Sequence, residues 1–181
     1  MDKIYVGWDN GTTGSIGILY PDKLAVFFPT PSFQEFSYTK DAKKISRIDF
    51  KKTCALFEEY VLPFPEQKLA LVERPVVNPK MFSTTISAAR ALEATLIVLE
   101  QFKIPFRYVD SKEWQHEMLP KGLQDRIPKG TKSEMTKAKK VRRAERKMAS
   151  RDIGKRAFPH LDFPEDADSI LMAEWARRNN L

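Results

Sequence analysis

The run Lys3-Ile4-Tyr5-Val6-Gly7-Trp8-Asp9-Asn10-Gly11-Thr12-Thr13-Gly14-Ser15-Ile16-Gly17-Ile18-Leu19-Tyr20 constrains this chain more than any other part of it. Two apolar, β-prone stretches flank a polar Gly/Thr turn, the pattern of a β-hairpin. The first strand ends on a carboxylate that packing does not require. An ionised Asp buried beside a sheet is costly unless a cation or a hydrogen-bond partner offsets it. Taken alone, Asp9 has two readings: a turn cap accepting from the amides of Gly11 and Thr12, or one member of a functional cluster.

The remaining pattern alternates strands with helices. Lys23 to Phe28 reads as a third strand, closed by Pro29-Thr30-Pro31 and followed by a polar connection to about Arg47. Asp49 is placed to cap a helix through Tyr60. Lys68 to Glu73 is a short continuous apolar run ending on an acid, as expected of a strand buried on both faces. A long helix is expected from about Ser83 to Phe102, and a strand over Pro105 to Val109. A helix capped by Ser111 comes next. After a Pro/Gly-rich loop from Pro120 to Lys132 the sequence predicts a basic helix to about Phe158, then a final helix from Pro164 to about Arg178. The expected fold is α/β: a mixed five-stranded sheet flanked by helices on both faces, in one domain over 1–181.

The chain has 181 residues, 42% of them apolar, enough for one sizeable core. Its net charge of +7 is unevenly placed. Residues 121–156 carry +10 and the remainder −3, which points to a polyanion held by the basic segment rather than to a uniformly solvated surface. Cys54 is the single cysteine, so neither an internal disulfide nor a thiolate zinc cluster is available. No apolar stretch reads as a membrane span, and Met1-Asp2 lacks the start of a signal peptide, so a cytoplasmic setting is expected. There is no Gly-rich loop followed by Lys-Ser/Thr, hence no ordinary P-loop and no expected nucleotide cofactor.

The acids gain meaning as a set. Asp9 and Glu73 each end a strand, and parallel pairing of those strands would bring both to one sheet edge. Pro164-Glu165-Asp166-Ala167-Asp168 opens the last helix, where Glu165 and Asp168, three apart, are expected on one face. Acids at a helix start also compensate its dipole. Four converging carboxylates repel, and hard divalent cations with oxygen ligands relieve that repulsion.

Four local patterns together resemble the RuvC family of Holliday junction resolvases, particularly its small bacteriophage members. They are the Asp9 strand with its Gly/Thr/Gly turn, Leu71-Val72-Glu73, Val109-Asp110-Ser111-Lys112, and Glu165-x-x-Asp168 leading into Ser169-Ile170-Leu171-Met172-Ala173. The resemblance implies an RNase H-like fold and a homodimer that cuts branched DNA, such as four-way or three-way junctions, with Mg²⁺ or Mn²⁺, two ions per site. It assigns Asp9, Glu73, Glu165 and Asp168 as metal ligands. Glu165 stands where the family usually has Asp, which leaves Asp166 open as the fourth ligand. Lys112 falls where the family has a basic residue near the scissile phosphate, and a second such position lies between Lys132 and Lys147. Arg74, Lys80 and Phe82, in the segment after Glu73, would face the junction centre, where an apolar side chain can wedge between bases. Met81 and Phe82 can equally be core residues of the long helix.

Other readings use the same motifs. Flap or RNA–DNA hybrid cleavage relies on the same metal chemistry, and a non-catalytic DNA-binding module could keep the fold. The Asp9 to Gly14 turn also resembles the phosphate-binding hairpin of actin-like sugar kinases. Those close two such domains around a nucleotide, whereas this chain supplies one hairpin.

Overall fold

The computed structural model describes residues 3–37, 44–75, 80–123 and 131–181, apart from the Lys132 side chain. β1 (Lys3–Trp8), β2 (Ser15–Leu19) and β3 (Ala25–Pro29) form an antiparallel meander. β4 (Ser32–Phe36) and β5 (Lys44–Ile48) pair as a separate two-stranded sheet. The polar connection expected before Arg47 therefore contains a hairpin, which its charged, weakly alternating sequence did not announce. Next come α1 (Phe50–Tyr60), β6 (Gln67–Glu73), α2 (Phe82–Gln101), β7 (Phe106–Val109), α3 (Ser111–Met118), α4 (Lys132–Ala157) and α5 (Asp168–Arg178).

The main sheet runs β3-β2-β1-β6-β7, with β6 parallel to both β1 and β7. This is the expected mixed five-stranded sheet. Strand alternation divides the core into two layers. Ile4, Val6 and Trp8 of β1 join Ala70 and Val72 of β6 on the face covered by α1 and α2, with Phe57, Val98 and Leu99. Tyr5 and Leu71 point to the other face, onto Ile170, Leu171 and Ala173 of α5, Trp114 of α3 and Phe158 at the end of α4. Helices thus cover both faces.

Helix starts show where local chemistry decided and where it did not. Asp49 accepts from the Lys52 amide at 3.1 Å and caps α1 as expected. α3 is capped by Asp110, which accepts from the Lys112 amide at 2.9 Å, and not by Ser111. Thr131 and Glu134 form a reciprocal capping box that starts α4. The last helix begins at Asp168, one turn later than Pro164 suggested, so Glu165 and Asp166 precede it and share no helix face with Asp168. α2 is long and apolar enough to cross a membrane by length and composition, contrary to the sequence reading. It packs Val98 and Leu99 into the core layer shared with α1 and leaves Ile97 exposed.

Candidate acidic active site

The alternation that builds the core also aims the acids. Tyr5 and Gly7 of β1 face α5, so Asp9, the next odd position, continues that side. In β6, Leu69 and Leu71 face the same way, so Glu73 does too. The parallel register pairs Trp8 with Val72, which sets Asp9 and Glu73 side by side one step beyond. Their carboxyl groups hydrogen-bond to each other. α5 then lays its first residue, Asp168, against this edge. Ser15 Oγ donates to Ser169 Oγ at 2.8 Å, seating the helix start on β2.

α4 closes the arrangement from above. The Ser150 hydroxyl donates to Asp168 Oδ1 and accepts the Ala167 amide at 3.1 Å. One turn earlier, Lys147 Nζ lies 2.6 Å from Glu165 Oε2 and 3.1 Å from Asp166 Oδ2. Asp9, Glu73, Asp166 and Asp168 line one cleft of about 350 Å³, with Asn10, Ser111, Gln115, Arg143, Arg146 and Lys147.

Burial dominates the electrostatics of this cleft. It raises the Glu73 carboxyl to about 9, assisted by the neighbouring charges of Asp9, Asp168 and Asp166. Asp168 rises to about 7 through burial and Asp166, against the bond from Ser150. Asp9 rises to about 6 through burial and Asp166, held down by the Glu73 hydrogen bond and by Lys147 and Arg143. Burial and mutual charge thus favour one shared proton on the Asp9–Glu73 pair. Glu165 behaves differently: its bond to Lys147 lowers it, and its side chain is 69% exposed against 11% for Asp166.

The structure brings Asp9, Glu73 and Asp168 together and turns Glu165 outward, with Asp166 as the fourth cleft carboxylate. The cause is the late helix start: adjacent residues of a bend point opposite ways, and Lys147 holds both. Of the basic positions, Lys147 lies in the cleft. Lys112 is exposed at the start of α3 and is not among the cleft residues, where Ser111 and Gln115 represent that helix. Arg74 and Lys80 are exposed, and the Arg74 guanidinium sits 5.6 Å from the centre of the Tyr108 ring. Met81 and Phe82 are 52% and 74% exposed, so neither is a core residue. Residues 76–79 of that segment, residues 124–130 of the loop before α4 and the Lys132 side chain lie outside the described residues. Arg143 and Arg146 were missed individually. The spacing Arg143, Arg146/Lys147, Ser150 on one face of α4 was the available signal.

The donor set fits a hard divalent cation: the cleft acids offer only oxygen, and the burial and mutual repulsion that raise Asp9, Glu73 and Asp168 are relieved by a cation. As placed, no group of three or more His, Cys, Asp or Glu side chains among the described residues surrounds a single ion position. Asp9 and Glu73 spend oxygens on each other and Asp168 on Ser150, so a cation would have to displace the shared proton.

A raised carboxyl stabilises the fold below its unfolded value and loses that contribution as pH rises through its folded value. The cation-free protein is therefore expected to lose melting temperature between about pH 4.5 and 9 as this cluster ionises. Glu73→Gln should flatten that decline and melt several degrees higher than the wild type at pH 8.5 in chelator. Parallel melting curves of the two proteins from pH 5 to 9 check this; equal slopes would remove the cluster as its origin.

The sheet order, the helix on its acidic edge and the cleft define an RNase H-like α/β fold. It is the fold of RuvC-type resolvases. The chain matches the Thermus thermophilus RuvC solved in complex with Holliday junction substrate with a TM-score of 0.55 and 12% identity, over 98% of this chain and 94% of that one. A second Thermus thermophilus RuvC structure matches with a TM-score of 0.47 and 11% identity, over 98% and 96% of the two chains. No family model and no curated protein sequence matches.

Proposed function

We propose that this chain is a divalent-metal-dependent endonuclease that cuts branched DNA, four-way junctions above all, and acts in the cytoplasm as a homodimer. The observation that carries the reading is the gathering of Asp9, Glu73, Asp166 and Asp168 in one cleft beneath Arg143, Arg146 and Lys147. Carboxylates of a sugar- or protein-modifying site need no such cationic wall, whereas a phosphodiester does. The fold shared with a RuvC bound to a Holliday junction substrate favours a branched one.

In this reading the four cleft acids would hold Mg²⁺ or Mn²⁺. Two such ions supply an activated water and charge stabilisation on the departing oxygen. Arg143, Arg146 and Lys147 bind the phosphate and turn its reacting face toward the acids. Further along α4, exposed Lys137, Lys139 and Lys140 extend the same positive surface along a duplex arm. Phe82 and Met81 stand exposed beyond Glu73, available to stack or wedge at the branch point. The second subunit would dock on the exposed side of α2, where Ile97 lies in water.

Purified protein offered labelled four-way junction, three-way junction, flap, duplex and RNA–DNA hybrid in Mg²⁺ tests the substrate class. Cleavage confined to branched DNA is the expected result, with affinity falling steeply as salt rises. Preference for the hybrid, or binding of junctions without cutting in Mg²⁺ or Mn²⁺, would overturn it. Light scattering of the same preparation is expected to give the mass of two chains.

A further inference from the structure

The cleft contains neutral polar groups that neither the acids nor the cations account for. Gln115 is 8% exposed, and its Oε1 is buried without a hydrogen-bond partner. Asn10, directly after Asp9, has both Nδ2 and Oδ1 buried without partners. Both residues line the acidic cleft. A buried polar atom left unpaired is costly, a cost retained where the partner arrives with a substrate.

The identity of the orphaned atom narrows the partner. Gln115 Oε1 is an acceptor, so phosphate oxygens and ionised carboxylates, also acceptors, cannot satisfy it. A phosphodiester brings acceptors and no donor of its own, so the donor that accompanies it is a water molecule, with Arg143, Arg146 and Lys147 engaged by the phosphate and the acids in the reading above. Gln115 and Ser111 lie one turn apart on α3, so they form one neutral wall beside the carboxylates. Trp114, fully buried, anchors the helix behind that wall.

We propose that Gln115 is a positioning residue whose side-chain carbonyl accepts a hydrogen bond from the attacking water and fixes its approach to phosphorus. This rests on the phosphodiesterase reading above. In the step it serves, the water oxygen bonds to phosphorus and one ester P–O bond breaks. The departing oxygen takes up a proton, and the proton of the water passes to a cleft carboxylate. Gln115 exchanges no proton; it restricts where the water sits. Asn10, next to Asp9 in the chain, offers a donor and an acceptor to the same cleft.

The test is Gln115→Leu, which keeps the volume and removes the acceptor, beside Gln115→Asn, which keeps an amide one methylene short. For Gln115→Leu we expect kcat on four-way junction to fall about 10- to 100-fold, as for groups that orient a metal site from outside it. Its junction KM and its calorimetric Mn²⁺ affinity should stay within about twofold of wild type, the scale of an untouched binding step. Its melting temperature in chelator should rise, because an unpaired buried polar atom has been removed. Gln115→Asn should recover part of kcat. A wild-type kcat in Gln115→Leu overturns the assignment. So does a fall in melting temperature together with weaker Mn²⁺ binding, the signature of a merely structural glutamine. Failure of the wild-type protein to cut any substrate would instead strike the reading on which the assignment rests.

Discussion

Asp9→Asn is expected to lower junction cleavage about a thousandfold, equivalent to about 4 kcal/mol of lost transition-state stabilisation, while junction affinity stays near wild type. The amide preserves shape but removes the charge at the point where β1, β6 and α5 meet. Lys147 and Arg143 act on Asp9 through their charge, and both remain in place with Arg146 in the variant. Asp166→Asn is expected to behave the same way. Glu165→Gln should cost far less, since that carboxylate is exposed and bound to Lys147. Gel-based cleavage and binding assays on one labelled junction separate the two effects. Full activity in Asp9→Asn would discard the acidic site. A severe loss in Glu165→Gln with none in Asp166→Asn would reverse the choice between the neighbours.

Gly7→Ala should produce the largest loss of stability. A Cβ at this position would meet Ser169 O at 1.9 Å and Ser169 C at 2.8 Å. Those atoms belong to the backbone of the first turn of α5, so no rotamer change relieves the clash, and the helix must lift off the sheet. Gly17 on the neighbouring strand is also too close to the backbone of Ile170 for a Cβ, with contacts of 2.6 Å. Overpacking of this kind costs about 3 kcal/mol or more, which for a domain of this size lowers the melting temperature by roughly 10 °C. Because α5 carries Asp168, the surviving folded fraction should also cut poorly. An unchanged melting temperature would mean that α5 does not rest on β1 and β2 as described.

Much of this architecture was legible because its signals are local. The strand ending on Asp9, the apolar run ending on Glu73 and the Asp49 cap depend on neighbours a few residues away. The parallel pairing of β1 with β6, only a condition in the sequence reading, is what the structure shows. The β4–β5 hairpin was not legible. Its strands mix Gln34, Glu35, Lys44 and Arg47 with apolar residues, and one of its stabilising pairs, Arg47 to Glu35 at 2.8 Å, links residues twelve apart. The start of α5 was misjudged for a related reason: Pro164 and three acids are ordinary first-turn residues, yet the backbone there bends instead.

The basic stripe of α4 that lines the cleft was only half visible. Charge density located the helix, but Lys and Arg occupy nearly every turn, so composition could not say which of them face the acids. Ser150 settles that, because its hydroxyl ties Asp168 and the Ala167 amide to the same helix face that bears Lys147 and Arg143.

By itself, the order of residues determined the five strands of the main sheet, the helices, the two strand-end acids and the presence of a strongly basic helix. These follow from hydrophobic periodicity and turn chemistry, which act over one or two turns of chain. Only the tertiary structure decided that Asp166 and not Glu165 enters the cleft, and that Arg143, Arg146 and Gln115 join it. That choice depends on the direction of one bend, and the direction is set by contacts with α4 to residues 17 and 18 positions away in the chain.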